Sequence, residues 1–85
     1  MKYNLAYTRR AIKDIQSLEE KTKKRIGKAL LRYSEDPFRY AQKLTDSRLG
    51  EYRFRIGDYR VIFDLKENEI AVLRVGHRKE IYRKL

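Results

Sequence analysis

Cysteine is absent from this 85-residue chain, and histidine and proline occur once each. Without cysteine there is no disulfide scaffold, no thiolate zinc site and no cysteine nucleophile. A single histidine likewise excludes a histidine-built metal cage, so neither metal nor cofactor is expected. No apolar run reaches the roughly 18 residues of a membrane span. Met1-Lys2-Tyr3-Asn4 lacks the apolar core of a signal peptide. The expectation is a cytosolic protein with no membrane segment. A chain this short makes one domain, residues 1–85, and buries only roughly 60% of its unfolded surface. Any active site should then be a shallow groove that a larger partner helps to complete.

Acidic side chains are the scarcest class relative to their opposites. Twelve Asp and Glu stand against 22 Lys and Arg, a formal charge of +10. Such an excess attracts polyanions by phosphate neutralisation and counterion release. It also repels itself within a small domain, so an acidic partner covering it would be stabilising. With 41% hydrophobic residues the chain is globular rather than a disordered basic tail.

No repeat, linker or low-complexity tract is visible. Lys2 to Tyr7 alternates, with Tyr3, Leu5 and Tyr7 on one side, and reads as a strand. Thr8 can cap a helix carrying Ala11, Ile12, Ile15 and Leu18 at helical spacing. After a polar break at 19–21, Ile26, Ala29, Leu30 and Tyr33 repeat that spacing, and Pro37 closes the second helix. The outward residues of this helical hairpin are basic: Lys21, Lys23, Lys24, Arg25, Lys28 and Arg32. Of these, Lys23, Lys24, Arg25, Lys28 and Arg32, together with Lys43 and Arg48 further on, are candidates for binding RNA or the ribosome, or simply for solvation.

The second half changes period from 3.6 to 2. Glu51 to Ile56, Tyr59 to Leu65 and Ile70 to Val75 are three strands, the first two joined by Gly57-Asp58, a strong two-residue hairpin signal. The result is an α+β fold of two layers, a helical hairpin on a mainly antiparallel sheet. The turn sets the register: Arg55 faces Arg60, Phe54 faces Val61 and Arg53 faces Ile62. Tyr52, Phe54, Ile56, Tyr59, Val61 and Phe63 then share the face under the helices. Arg53, Arg55 and Arg60 share the other. Like charges directly opposite cost up to about 1 kcal/mol, so this cluster points to use. The final strand runs into Val75-Gly76-His77-Arg78, where Gly76 could turn His77 and Arg78 toward the arginine face, and Tyr82 follows. Guanidinium groups grip phosphate and stack on bases, and aromatic rings stack on unpaired bases.

Lys43-Leu44, the stretch from Gly50 through Tyr52-Arg53-Phe54-Arg55-Ile56-Gly57-Asp58-Tyr59-Arg60 to Phe63, and Val75 through Tyr82 together resemble the RelE/ParE superfamily of toxin–antitoxin toxins, closest to the RelE branch. The resemblance covers the whole chain. It implies a β-α-α-β-β-β fold with sheet order 1-4-3-2. It also implies a metal-independent endoribonuclease that cleaves mRNA in the ribosomal A site and is held inactive by a RelB-like antitoxin. Arg53 and Arg55 stand where RelE enzymes carry two catalytic lysines. Arg60 and Arg78 match two arginines that contact the scissile phosphate, and Tyr82 matches the tyrosine beside the substrate nucleotide. Thr45 stands where the family has a further arginine after Lys43-Leu44, and Arg48 could reach the same region.

Cleavage by attack of a 2′-OH on its own phosphate needs a base, an acid for the leaving 5′-oxygen and cations for the transition state. Arg53, Arg55, Arg60 and Arg78 supply cations, but arginine is a poor base. The proton acceptor is left to His77, to Tyr82 or to the ribosome. Two other readings share the fold: a ParE-like DNA gyrase inhibitor, acting by protein contact, and a catalytically weak RNA-binding module.

Overall fold

The computed structural model describes residues 2–46 and 48–83. Its elements are β1 (Asn4–Tyr7), α1 (Arg9–Gln16), α2 (Glu20–Tyr33), α3 (Pro37–Tyr40), β2 (Gln42–Lys43), β3 (Tyr52–Ile56), β4 (Tyr59–Lys66) and β5 (Glu69–His77). The strands form one sheet in the order β1-β5-β4-β3-β2. β1 runs parallel to β5, and the other pairs are antiparallel. The α+β class stands; the four expected strands keep the order 1-4-3-2, and β2 adds a fifth at the edge beside β3. β2 pairs only Gln42 with Arg53 and Lys43 with Tyr52, and two residues offer no alternation to read in a sequence. Pro37 also does more than close α2. It opens α3, where a missing N–H costs nothing in the first turn. No helix among the described residues is long and apolar enough to cross a membrane.

The amphipathic spacing of α1 and α2 sets one layer on the sheet, with Ala11, Ile26, Leu30 and Tyr33 buried. Thr8 is the expected cap. Its Oγ1 accepts the Ala11 N–H at 3.1 Å and donates to the Leu73 carbonyl at 3.0 Å. One hydroxyl thus starts α1 and ties it to β5. Because β1 ends at Tyr7, β5 has no strand neighbour on that side beyond Val72. Asp14 of α1 takes over: its Oδ2 accepts the Val75 N–H at 3.0 Å and the Arg74 Nε–H at 2.8 Å.

The β3–β4 hairpin has the register the turn dictates, from Ile56 opposite Tyr59 to Tyr52 opposite Phe63. Gly57 sits at φ +59° in the first central turn position, a conformation that costs other residues strain. Phe54, Val61 and Phe63 are fully buried beneath the helices. Tyr40 stacks on Tyr33 at 4.1 Å, Tyr33 meets Phe54 at 5.1 Å, and Phe54 stacks on Phe63 at 4.1 Å. This line of rings carries the core from α3 through α2 to the hairpin.

The second sheet face is not bare. Ile62, which alternation puts on it, is fully buried, and so is Ile81, at 4% exposure. Neither belongs to the helix-side core. A Cβ on Gly50 would lie 2.9 Å from Ile62 and Leu73, so the 48–51 segment packs closely here only as glycine. The segment after β5 turns back at once, with Ile81 N–H bonded to the His77 carbonyl at 3.0 Å. Ile81 comes to rest against Gly76.

The Asp14 contact predicts that Asp14→Ala lowers unfolding free energy by about 1–3 kcal/mol. Asp14→Asn, which keeps an acceptor for the Val75 N–H, should lose less. Urea titration followed by circular dichroism measures both, and equal losses would assign the effect to the ion pair with Arg74 alone.

Candidate active site

Strand alternation and the returning tail bring four guanidinium groups and a phenol to the second sheet face. Arg53 and Arg55 come from β3, Arg60 from β4, and Arg78 and Tyr82 from the tail. Arg60 is the centre. It is only 6% exposed, and its Nη1 donates to the carbonyls of Gly57 and Tyr59, both at 2.9 Å. No carboxylate pairs with it among the described residues. Burial lowers its pKa, and the charges of Arg55, Arg53 and Arg78 lower it further, while Tyr82 acts in the opposite sense. Arg60 is therefore not open to solvent, although the face it shares with Arg53 and Arg55 is the one away from the helices. Its alternation is as read from the sequence, but the tail and the hairpin turn cover it.

The tail is held at both ends. The Arg78 N–H donates to the Asp58 carbonyl at 2.8 Å, and its exposed guanidinium lies 3.6 Å from the Asp58 carboxylate. Arg53 Nη1 donates to the Tyr82 hydroxyl at 2.8 Å, and Arg53 Nε donates to Gln42 Oε1 at 3.0 Å. The guanidinium also lies over the Tyr82 ring, 5.9 Å from its centroid. Arg55 is exposed and directly opposite Arg60.

His77 does not join this group. β5 stays extended through His77, which pairs with Tyr59 while Gly76 pairs with Arg60. Cross-strand partners share a face, so His77 lies on the helix side. Its ring packs edge-on against Tyr59 at 5.5 Å, and its Nδ1 accepts the Lys79 N–H at 3.1 Å. The turn expected at Gly76 comes one residue later, after the strand has alternated once more.

The other basic candidates separate into groups. Arg25, Lys28 and Arg32 lie on one stripe of α2 and, with Arg55 and Gly57, line a groove of about 300 Å³ along the outer edge of β3. Arg25 lies over Gly57, where an added Cβ would come within 2.6 Å of its guanidinium, and Arg32 sits 5.4 Å from the Tyr33 ring centroid. Lys23 turns instead toward the apolar groove between α1 and α2 and pairs with Glu20 at 3.2 Å. Lys24 is exposed. Lys43 pairs with Tyr52 and so belongs to the helix side, and its neighbour Gln42 takes the place beside Arg53. Arg48, which could reach the region of the arginine missing at Thr45, is exposed. It is clipped bidentately to Asp46, at 2.7 and 3.0 Å, and these bonds hold the Asp46 carboxyl down at about 2.

Gln42 and Ile81 are the contributors that the sequence did not reveal. The two-residue strand that positions Gln42 has no periodic signal, and Ile81 reads as an ordinary apolar residue near the end of the chain. Among the described residues no group of three or more His, Asp or Glu is placed to hold a metal ion. What remains is a basic, partly covered sheet face with a phenol at its edge and one buried cation lacking a counter-ion. Such a face has the chemistry to take a phosphate group.

A helical hairpin laid on a five-stranded, mainly antiparallel sheet is the fold of RelE-like toxins of toxin–antitoxin systems. A family model described as the ParE toxin of the type II toxin–antitoxin system parDE matches residues 5–82, and the chain belongs to this family, within the RelE/ParE superfamily. It is similar to toxin RelG of Mycobacterium tuberculosis, with 30% identity covering 99% of this chain and 100% of that protein. A RelBE toxin–antitoxin complex from the same organism superimposes with a TM-score of 0.82 and 25% identity, covering 92% of this chain and 100% of that one. The free E. coli toxin RelE, in a mutant form, gives a TM-score of 0.77 and 25% identity, covering 96% and 92%.

The facing arginines predict a trade between stability and binding. Arg55→Gln removes a like charge beside a buried cation and should raise stability by up to about 1 kcal/mol, or roughly 4–8 °C in melting temperature for a domain this size. Thermal melts at low salt measure it. An unchanged or lowered melting temperature would mean that the Arg55 charge does not strain the sheet.

Proposed function

We propose that this toxin is a ribosome-dependent, metal-independent mRNA endoribonuclease of the RelE type. The observation that carries this reading is Arg60, buried with no carboxylate partner among the described residues and surrounded by the charges of Arg53, Arg55 and Arg78 and by Tyr82. In transphosphorylation the 2′-oxygen attacks the adjacent phosphorus while the bond to the leaving 5′-oxygen breaks. Negative charge grows on the non-bridging oxygens, and preorganised cations in a partly covered site stabilise it. Arg60 supplies a cation whose desolvation has already been met in folding. Arg78 and Arg55, both exposed, can close on the same phosphate.

Proton transfer falls to Tyr82 among this chain's residues, because His77 lies on the opposite face. The Tyr82 oxygen accepts from Arg53, so its own O–H is free to give its proton to the leaving 5′-oxygen, while the 2′-OH proton passes to a ribosomal group or to water. The groove lined by Arg25, Lys28, Arg32 and Arg55 would hold the phosphate backbone of ribosomal or messenger RNA beside the reacting segment. Such a site is open until a larger body covers it, as expected of an enzyme that works only on the ribosome.

The partner proposed is a RelB-like antitoxin, as in the RelB–RelE complexes to which the fold is similar. Tyr7, Ile12 and Leu31 are exposed around α1 and α2, and this apolar, basic-rimmed surface suits an amphipathic acidic segment that orders on binding. The match to a ParE family model favours a second reading, inhibition of DNA gyrase by protein contact. A gyrase supercoiling assay with the purified toxin tests it directly.

Primer extension on programmed ribosomes tests the main reading. The wild-type chain should cut mRNA in the A site. Arg60→Lys and Arg78→Ala should each lower the single-turnover rate by roughly 10² or more; lysine is chosen at position 60 because alanine would strand the turn carbonyls and confound the result with unfolding. Tyr82→Phe should cost about 10²–10⁴, and His77→Ala should leave the rate unchanged. Full activity in Arg60→Lys and Arg78→Ala would sink the catalytic assignment, and a His77 dependence would overturn the division of labour between the two faces.

A further inference from the structure

We propose that Gln42 is a positioning residue for this active site: it fixes the Arg53 guanidinium, and through it the Tyr82 hydroxyl, without neutralising the Arg53 charge. The proposal rests on the endoribonuclease reading above. Gln42 lies in β2, directly across from Arg53, and alternation puts both side chains on the arginine face. Its Oε1 accepts from Arg53 Nε at 3.0 Å, and Arg53 Nη1 donates to the Tyr82 oxygen at 2.8 Å. The amide orientation follows from its partner, because the flipped amide would face one donor with another.

These contacts commit two of the five N–H donors of Arg53 and set the plane of its guanidinium. The remaining donors stay free for a phosphate. Without the Gln42 contact, the long Arg53 side chain regains its rotamers, and the phenol loses the donor that orients it. A neutral acceptor matters as much as its position. A carboxylate at residue 42 would hold the same donor but pair with the cation, taking away charge that the transition state needs. Among the described residues, β2 and the tail are what hold the Arg53 guanidinium. The two-residue strand thus has a reason to exist: it delivers one uncharged acceptor to one arginine.

Because Gln42 is exposed, its substitution should spare the fold, and three measurements test the idea. Gln42→Leu should lower the maximal cleavage rate on programmed ribosomes roughly 10- to 100-fold, the scale of a misplaced reacting group. The half-saturating ribosome concentration should stay the same. In ¹⁵N spectra of the free protein, the Arg53 Nε–H resonance should be protected from exchange in the wild type, lost in Gln42→Leu and retained in Gln42→Glu. Gln42→Glu should nonetheless cleave more slowly than wild type, because the tether survives while the charge is offset. The proposal is overturned if Gln42→Leu cleaves at the wild-type rate, if its defect lies wholly in ribosome affinity, or if Gln42→Glu matches the wild type. A wild-type chain that does not cleave would remove the endoribonuclease reading itself, and the proposal with it. The Arg53 resonance would then still report whether the tether forms.

Discussion

The pleat of one β-hairpin governs this molecule. Once Gly57 and Asp58 turn the chain in two residues, every side chain from 52 to 63 is assigned to one face or the other. Phe54, Val61 and Phe63 become the floor of the core, and the same alternation forces Arg53, Arg55 and Arg60 together behind them. Core and site cannot be separated, because a one-residue slip in register would exchange them. The aromatic line from Tyr40 to Phe63 locks the register from the helix side, and the arginines are held in place by packing they do not touch.

Holding them there is unfavourable, and the structure shows how the cost is limited. Arg60 loses water but gains two carbonyls at the turn beside it. Arg78 lies near Asp58, and Arg53 is shared between a neutral amide and a phenol. None of Arg53, Arg55 and Arg60 is given a carboxylate among the described residues. A fold optimised only for stability would place an acid beside Arg53, Arg55 and Arg60. Leaving it out maintains a positive field that a phosphate can satisfy. The same unmet charge makes an acidic partner stabilising by mass action.

The two short segments flanking the hairpin complete the site. On one side β2 lends Gln42 to Arg53. On the other the tail folds back so that Ile81 covers the sheet beside Gly76 and Tyr82 reaches Arg53. Ile62 and Ile81 are buried on the back of the sheet, Ile81 against Gly76, the residue that pairs with Arg60. His77 is excluded by the same geometry that admits Arg60: one more residue of extended strand turns it to the helix side.

Much of this was legible in the amino-acid order. Period-2 runs around Gly57-Asp58 determined the hairpin, its register and the facing of Arg55 and Arg60, because alternation and a two-residue turn leave no freedom. Thr8 as a cap and the helical spacing of Ile26, Leu30 and Tyr33 were equally local. The basic stripe of α2 could be seen, but its division between a groove shared with Arg55 and an ion pair of Lys23 with Glu20 could not. Nor could the strand at Gln42, the burial of Arg60 or the side on which His77 falls. Most of these depend on how separate elements come together: β2 pairs with β3, α2 lies along the edge of β3, and the tail returns to the sheet. The sequence by itself determined which residues share a face; only the tertiary structure decided which of them are covered, and by what, because burial is a property of the assembled layers and not of any one strand.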